Sequence, residues 1–131
     1  MKNIITVGKK KTSIAKIFLK KNLKKKIEIF INNKIKIKNY FNKKLNYKLI
    51  LEPLKLLNIK NLNINIKLRG GGKSSQIIAI RSGISKAILL YDSKYKKQLS
   101  DKKLLTRDSR IVERKKFGKH KSRKSKQFSK R

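Results

Sequence analysis

The fold is decided by one stretch, LNINIKLRGGGKSSQIIAIRSGISKAILLY, which covers residues 62–91. In residues 62–68, Leu and Ile alternate with Asn and Lys, and this period of two predicts a half-buried strand. In residues 74–91 the apolar side chains recur at helical spacing, which predicts a helix with one face in the core. That stripe consists of Ile77, Ile80, Ile84, Ile88 and Tyr91. The stretch therefore predicts a strand that leads through a glycine turn into a core helix.

Shorter elements are predicted on both sides of this stretch. Strands are predicted at Ile4 to Val7, Ser13 to Leu19, Ile27 to Ile31 and Ile35 to Ile37, with a basic loop at Gly8 to Thr12 and a turn at Asn32-Asn33. Helices are predicted at Tyr40 to Leu57, where Pro53 starts a second helical piece, and at Lys94 to Leu99. Hairpin-like strands and segregated helices predict an α+β fold, a small sheet with helices packed on it.

The chain divides into two zones of different composition. Residues 1–105 mix apolar and basic residues with clear periodicity, which predicts one globular domain. Residues 106–131 lose the apolar pattern, and ten Lys or Arg follow Glu113 without another acid. A segment of this kind buries too little surface to offset its chain entropy. We therefore expect an extended basic tail that is disordered in the free protein.

The charge of the chain predicts a polyanionic partner. There are 40 Lys and Arg against 6 Asp and Glu, a formal net charge of +34. Nucleic acid is the partner that such charge favours, because each neutralised phosphate releases condensed counterions. A membrane surface is disfavoured, since no helix combines a basic face with a continuous apolar one. Lys, Asn and Ile are over-used, as AT-rich codons produce, so some lysines reflect codon usage.

Residues that carry chemistry are scarce, and this disfavours an enzyme. The chain has no Cys, which removes thiol catalysis and thiolate metal sites. Its single His, His120, lies among cations and is read as a solvated or RNA-contacting side chain, not a metal ligand. Six scattered acids suggest no catalytic group. We expect no metal and no cofactor. Met1 to Val7 reads as a strand and not as a signal peptide, so we expect the protein to work where it is made.

The first candidate site is Lys9-Lys10-Lys11, which follows Gly8 between the first two strands. Cations projected from a fixed backbone suit the bent phosphate backbone of RNA. A solvated loop that keeps a sheet edge soluble explains the same residues equally well.

The second candidate site is Arg69-Gly70-Gly71-Gly72-Lys73, between the strand and the core helix. Glycines let the backbone approach a partner, and a helix N-terminus offers free N–H groups to an anion. A nucleotide site is disfavoured because Lys67 stands where a P-loop has glycine. Docking on RNA and a flexible turn that caps the helix both remain open.

The third candidate site is the tail, which holds five of the seven arginines. Where codon usage replaces Arg by Lys, surviving arginines mark positions that favour a planar, forked donor. Phe117 and Phe128 suit stacking on bases or packing in a larger particle. A generic polybasic tail would share most of these features.

Together the three motifs resemble the S-nine family of small-subunit ribosomal proteins over nearly the whole chain. The family's opening pattern fits Gly8-Lys9-Lys10-Lys11-Thr12-Ser13-Ile14-Ala15. Its middle pattern fits Gly70-Gly71-Gly72, Gln76 and Ala79-Ile80-Arg81-Ser82-Gly83-Ile84. Its end pattern fits Asp108, Arg110, Val112 to Lys116 and Gln127 to Arg131. The departures are Ser75, Ile77 and Ile78, where the family has glycine and small residues, and lysines such as Lys9, Lys10 and Lys86 in place of arginine.

The resemblance implies a fold, a location and a set of contacts. It implies an α+β body with a left-handed β-α-β crossover, placed on ribosomal RNA in the head of the small subunit beside other head proteins. The ribosome would be that of an AT-rich bacterium's cytoplasm, a mitochondrial matrix or a plastid stroma. The tip of the tail would reach the tRNA in the peptidyl (P) site through Ser129, Lys130 and Arg131. The implied ribosomal-RNA contacts are Lys9, Lys10, Lys11, Arg69, Gly70, Gly71, Gly72, Lys73, Arg81, Arg107, Arg110, Arg114, Lys115, Lys116, Lys119, Lys121 and Arg123.

The competing interpretation is a free nucleic-acid compaction or chaperone protein. It would explain the charge but not the glycine pattern or the ordered ending. Sedimentation separates the two, because a ribosomal protein co-migrates with small subunits in stoichiometric amount.

Overall fold

The computed structural model describes residues 3–22, 26–33, 35–41 and 45–130. These residues form one five-stranded sheet in the order β1-β2-β5-β3-β4. Neighbouring strands are antiparallel except β3 and β5, which are parallel. The strands are β1 (Ile4–Lys10), β2 (Ser13–Lys21), β3 (Glu28–Ile31), β4 (Ile35–Lys36) and β5 (Leu62–Arg69).

The helices of the described residues are of very unequal length. The longest, α3, has 19 residues and packs across β1 and β2. Short 3₁₀ turns at Tyr47–Leu51 and Ser93–Tyr95 precede α2 and α4. The α-helices are α1 (Ile37–Tyr40), α2 (Glu52–Leu56), α3 (Lys73–Tyr91) and α4 (Lys96–Asp101). The predicted α+β class, a small sheet with helices packed on it, is confirmed.

The core lies between one face of the sheet and α3. Strand β5 alternates buried and less buried residues along its whole length, as its sequence predicts. Its inward side chains belong to the same buried cluster as those of β2 and of the α3 stripe. Ile77, Ile80, Ile84 and Ile88 are buried as predicted, but Tyr91 is 41% exposed, so its assignment to the stripe was wrong. At the last turn the helix has passed the edge of the core.

Several predicted boundaries need correction. Gly8, Lys9 and Lys10 belong to β1 and not to a loop, since Lys10 pairs with Ser13 and leaves a two-residue turn at Lys11-Thr12. Ile37 starts α1 and does not extend the short strand. The helix predicted at Tyr40 to Leu57 is a 3₁₀ turn followed by α2, and residues 42–44 of that segment lie outside the described residues. Pro53 does stand in the first turn of α2, as predicted.

A crossover connects the two parallel strands. The chain leaves β3, passes through β4, α1 and α2, and returns as β5 beside β3. Helix α2 contacts α3, so the connection lies on the helical side of the sheet. Its left-handed sense stays a prediction.

Helix α3 and the sheet touch at two glycines. A β-carbon added at Gly8 of β1 would overlap the carbonyl oxygen of Ala79 and lie 2.6 Å from the backbone nitrogen of Gly83. A β-carbon added at Gly83 would lie 2.6 Å from Cγ1 of Ile17. The Thr6 hydroxyl donates a 2.8 Å hydrogen bond to the carbonyl of Gly83. The helix backbone therefore rests directly on the strand backbone at this point.

This contact predicts the effect of one methyl group. Gly8→Ala should lower the free energy of unfolding by about 1–3 kcal/mol, the usual effect of overpacking a core, because the neighbour is backbone and cannot rotate away. The measurement is urea unfolding followed by circular dichroism. Gly72→Ser is the matched control, since a side chain at Gly72 meets nothing within 4 Å and serine suits a helix N-cap. Equal stability of the two variants would contradict the contact.

Candidate nucleic-acid interface

Two of the basic motifs lie against each other at one end of the sheet. Gly70 and Gly71, just after β5, have φ angles of 66° and 68°. A β-carbon at Gly70 would lie 2.7 Å from the carbonyl oxygen of Thr12, and one at Gly71 would overlap the Ser13 hydroxyl. The glycine turn thus packs on the β1–β2 turn. The close approach that the glycines allow is, at these two positions, an approach to the chain itself.

The cations of both motifs share this end of the sheet. Lys9 pairs with Ile14, and Ile14 pairs with Arg69, so Lys9 and Arg69 project from the same face of the sheet. Lys11 lies in the exposed turn between β1 and β2. Gly72 is exposed with open space around it. The structure therefore brings together the first two predicted sites, which are about sixty residues apart in the sequence.

The glycine turn is braced from the helical side. The Gln76 amide donates to the carbonyl of Gly70 at 3.2 Å. The Tyr40 hydroxyl donates to the Gln76 carbonyl oxygen at 3.2 Å. The Lys73 ammonium lies 3.3 Å from the centre of the Tyr40 ring, a cation–π contact. These contacts favour a fixed turn over the flexible one that the sequence also allowed.

The tail begins at the same end of the sheet. The Lys10 ammonium forms a 2.5 Å ion pair with the Asp108 carboxylate, and the two side chains are 16% and 31% exposed. Asp108 also accepts from Nε and Nη2 of Arg110, both at 3.0 Å. The hydrogen bonds from Arg110 and from Lys10 hold the pKa of the Asp108 carboxyl well below its usual range. Asp108 thereby ties the first part of the tail to β1.

A second carboxylate organises the middle of the tail. Glu113 accepts a forked pair from Arg123, at 2.9 Å to Nε and 2.6 Å to Nη2. It also accepts from the Lys116 ammonium at 3.3 Å. The bonds from Arg123 and then Lys116 lower the pKa of Glu113 to about 2, and Glu113 raises the pKa of Arg123. The two acids of the tail therefore each hold an arginine in place.

Most of the other tail cations are exposed. From Leu104 to Lys130 the described residues form neither helix nor strand. Phe117 and Phe128 are fully or almost fully exposed. Arg131 lies outside the described residues. The exposed predicted contacts of the tail are Arg107, Arg114, Lys115, Lys121, Ser129 and Lys130, while Lys119 is half-buried and donates to the Ser125 hydroxyl.

One predicted contact lies apart from this end. Arg81 stands in the middle of α3 and forms a 3.0 Å ion pair with Glu52 of α2. It is about two turns from the start of the helix, or about 12 Å along its axis. Its contact with ribosomal RNA stays a prediction. Glu52, Asp108 and Glu113 each position an arginine. This role was not predicted from the sequence, although acids are rare enough in this chain to stand out.

Within the described ranges, no three His, Cys, Asp or Glu side chains gather as they would around a metal ion. In those ranges, too, no helix has the length and apolar character needed to cross a membrane.

Comparison with known proteins agrees with the resemblance seen in the motifs. The family model described as ribosomal protein S9/S16 matches residues 8–131. The chain is 44% identical to the small ribosomal subunit protein uS9 of Helicobacter pylori strain Shi470 over 133 residues, which cover 100% of both chains. It is 41% identical to uS9 of Aliarcobacter butzleri and 40% identical to uS9 of Cytophaga hutchinsonii, again over 100% of both chains. The chain belongs to the ribosomal protein S9/S16 family, whose members are structural proteins and not enzymes.

Proposed function

We propose that this chain binds small-subunit ribosomal RNA through the end of the sheet where its two basic turns and the root of its tail meet. The observation that carries the proposal is this convergence, with Lys9 and Arg69 on one face and Asp108 fixing the tail beside them. Cations held on a rigid backbone match the spacing of phosphates in folded RNA. Because the chain carries a net charge of +34, its seating there also relieves self-repulsion.

We also propose that the tip of the tail contacts tRNA. Ser129 and Lys130 are exposed, and the motif resemblance implies that Ser129, Lys130 and Arg131 reach the P-site tRNA. Phosphate contacts carry no direct sequence information, so such a tip would serve every tRNA alike. We place the protein in the head of the small subunit beside other head proteins, in a bacterial cytoplasm or an organelle. We propose no membrane as a partner.

Salt dependence tests the RNA contact at the end of the sheet. Removing both Lys9 and Arg69 by substitution with Gln should make the plot of log affinity against log salt shallower by about 1.4–1.8, because each lost phosphate contact contributes roughly 0.7–0.9. The measurement is titration of a head-domain ribosomal RNA fragment at several salt concentrations. Lys94→Gln with Lys97→Gln is the control, since both lysines are exposed near α4. An equal slope change in both pairs would indicate charge alone and no defined interface.

Carboxylate titration tests the order of the tail. The Glu113 carboxyl should titrate with a midpoint of about 2 in the free protein, against an ordinary 4.5, because Arg123 and Lys116 stabilise the ionised form. A lowered pKa means that this contact is complete above the ordinary value and is lost as the pH falls through about 2. Carbon-13 NMR of the side-chain carboxyl is the measurement.

Arg123→Gln provides the comparison for that titration. It should return the midpoint toward the ordinary value, which general attraction to surrounding lysines would not do. A wild-type midpoint already near 4.5 would contradict the ion pair and favour the disordered free tail that the sequence predicts.

Deletion of residues 129–131 tests the tRNA contact. The globular body should stay folded and small subunits should still assemble, but P-site tRNA binding should weaken by about 1.5–3 kcal/mol at most if one charge-assisted contact is lost. The measurement is tRNA affinity of purified small subunits that carry the full or the shortened chain. Equal affinities for several tRNAs at low salt would reduce the function to scaffolding of ribosomal RNA.

A further inference from the structure

The face of the sheet that points away from the helices is built in rows. One row runs in register through all five strands of the described sheet: Ile5, Phe18, Asn65, Phe30 and Lys36. Paired residues point to the same side of a sheet, so these five side chains share one face. Their strand neighbours Ile4, Ile17, Leu19, Ile64, Ile66 and Ile31 are buried on the other side. The row therefore crosses the centre of an uncovered surface, here called the open face.

The open face is both apolar and cationic. Ile5, Val7 and Ile14 are 52%, 38% and 41% exposed. The rows beside Phe18 pair Lys16 with Lys67 and Lys20 with Asn63. Counting the strand residues on this face gives six cations and one acid, which are Lys9, Lys16, Lys20, Lys36, Lys67 and Arg69 against Glu28. This charge matches a polyanion and opposes an ordinary protein partner.

Phe18 lies between two of these cations. The ammonium groups of Lys16 and Lys67 lie 5.4 Å and 5.6 Å from the centre of its ring. An aromatic ring flanked by flexible cations suits an unpaired nucleotide, because the base stacks on the ring while the ammonium groups move aside to the adjoining phosphates. Phe30 lies two strands away in the same row, which separates the two aromatic residues by about 10 Å.

Asn65 lies between the two phenylalanines, and its side-chain carbonyl oxygen accepts no hydrogen bond from the described residues. That oxygen is buried. A buried acceptor left unpaired is unfavourable, so a ligand that supplies a donor gains affinity. Base amino groups, ring N–H groups and ribose 2′-hydroxyls are donors of this kind. A cavity of about 320 Å³ opens here, lined by Phe18, Lys20, Asn33, Asn63, Asn65 and Lys67.

We propose that the open face is a second RNA site, which holds an unpaired ribonucleotide. Its base stacks on Phe18, the Asn65 carbonyl oxygen accepts a hydrogen bond from the base or the 2′-hydroxyl, and Lys16 and Lys67 bind the flanking phosphates. This site rests on the proposed RNA-binding function. It lies near the middle of the open face, around Phe18, whereas Lys9 and Arg69 stand at the end of that face beside the glycine turn. It reads an unpaired base, whereas the end of the sheet contacts backbone.

The test compares two single-stranded RNA probes of equal charge. One is an adenosine hexanucleotide, and the other is the same strand with abasic positions. Because both carry the same phosphates, the ratio of their affinities removes the contribution of the tail's charge. The protein is the full chain with Phe117→Leu and Phe128→Leu, so that the tail rings do not stack. We expect this background protein to prefer the base-bearing strand about 5- to 150-fold, the range of one base–aromatic stack.

Phe18→Leu in the same background should remove this preference while circular dichroism stays unchanged, because leucine keeps an apolar side chain in the strand. Leu90→Ala, an exposed apolar position on α3, is the matched control and should keep it. Equal binding of both strands by the background protein would overturn the proposal, and so would an unchanged preference in Phe18→Leu. If this face served a protein partner, the first of these results would be obtained, because no base would stack on Phe18.

The outcome is separable from that of the proposed function. Failure of the open face leaves the salt-dependent affinity for the head-domain fragment intact. If the proposed function is wrong, the head-domain fragment should bind weakly and its affinity should not depend on Lys9 and Arg69.

Discussion

The direct contact between Gly8 and Gly83 is the constraint on which the rest of the structure depends. It sets α3 against β1 without intervening side chains, and the Thr6 hydroxyl fixes the register of that contact. Once α3 is seated, its first turn stands beside the end of the sheet. The glycine turn must then fold back over Thr12 and Ser13 to connect β5 to α3, which brings the two basic turns together.

Much of this architecture could be predicted from local pattern. The alternation in residues 62–68 and the stripe in residues 74–91 identified β5 and α3 because burial imposes periods of two and 3.6 on a sequence. The pattern failed where local signals are weak. The turn at Lys11-Thr12 lacks the Asn-Gly or Asp-Gly pair that usually marks a two-residue hairpin, so Gly8 was placed in a loop when its role is to admit the helix.

The site was harder to predict than the fold for a related reason. The motifs themselves were visible, but their convergence depends on pairs far apart in sequence, such as Lys10 with Asp108. No periodicity encodes such a pair. The alignment of Asn65 and Phe18 in one row could likewise not be predicted, because it follows from strand order and register. In the described residues, three of the six acids form ion pairs with arginines. Composition alone does not reveal these pairs.

Strand β1 lies at the edge of the described sheet, and this position affects the solubility of the free chain before it joins the ribosome. An edge strand of seven residues offers unpaired backbone groups to any other extended chain. Mutual repulsion between highly charged copies keeps such edges apart in solution. Polyanions that neutralise the charge without seating the protein remove this protection. Solubility and correct placement are therefore coupled. We expect synthesis in excess of the chain's ribosomal partners to favour edge-to-edge aggregation, which rapid incorporation into the particle would prevent.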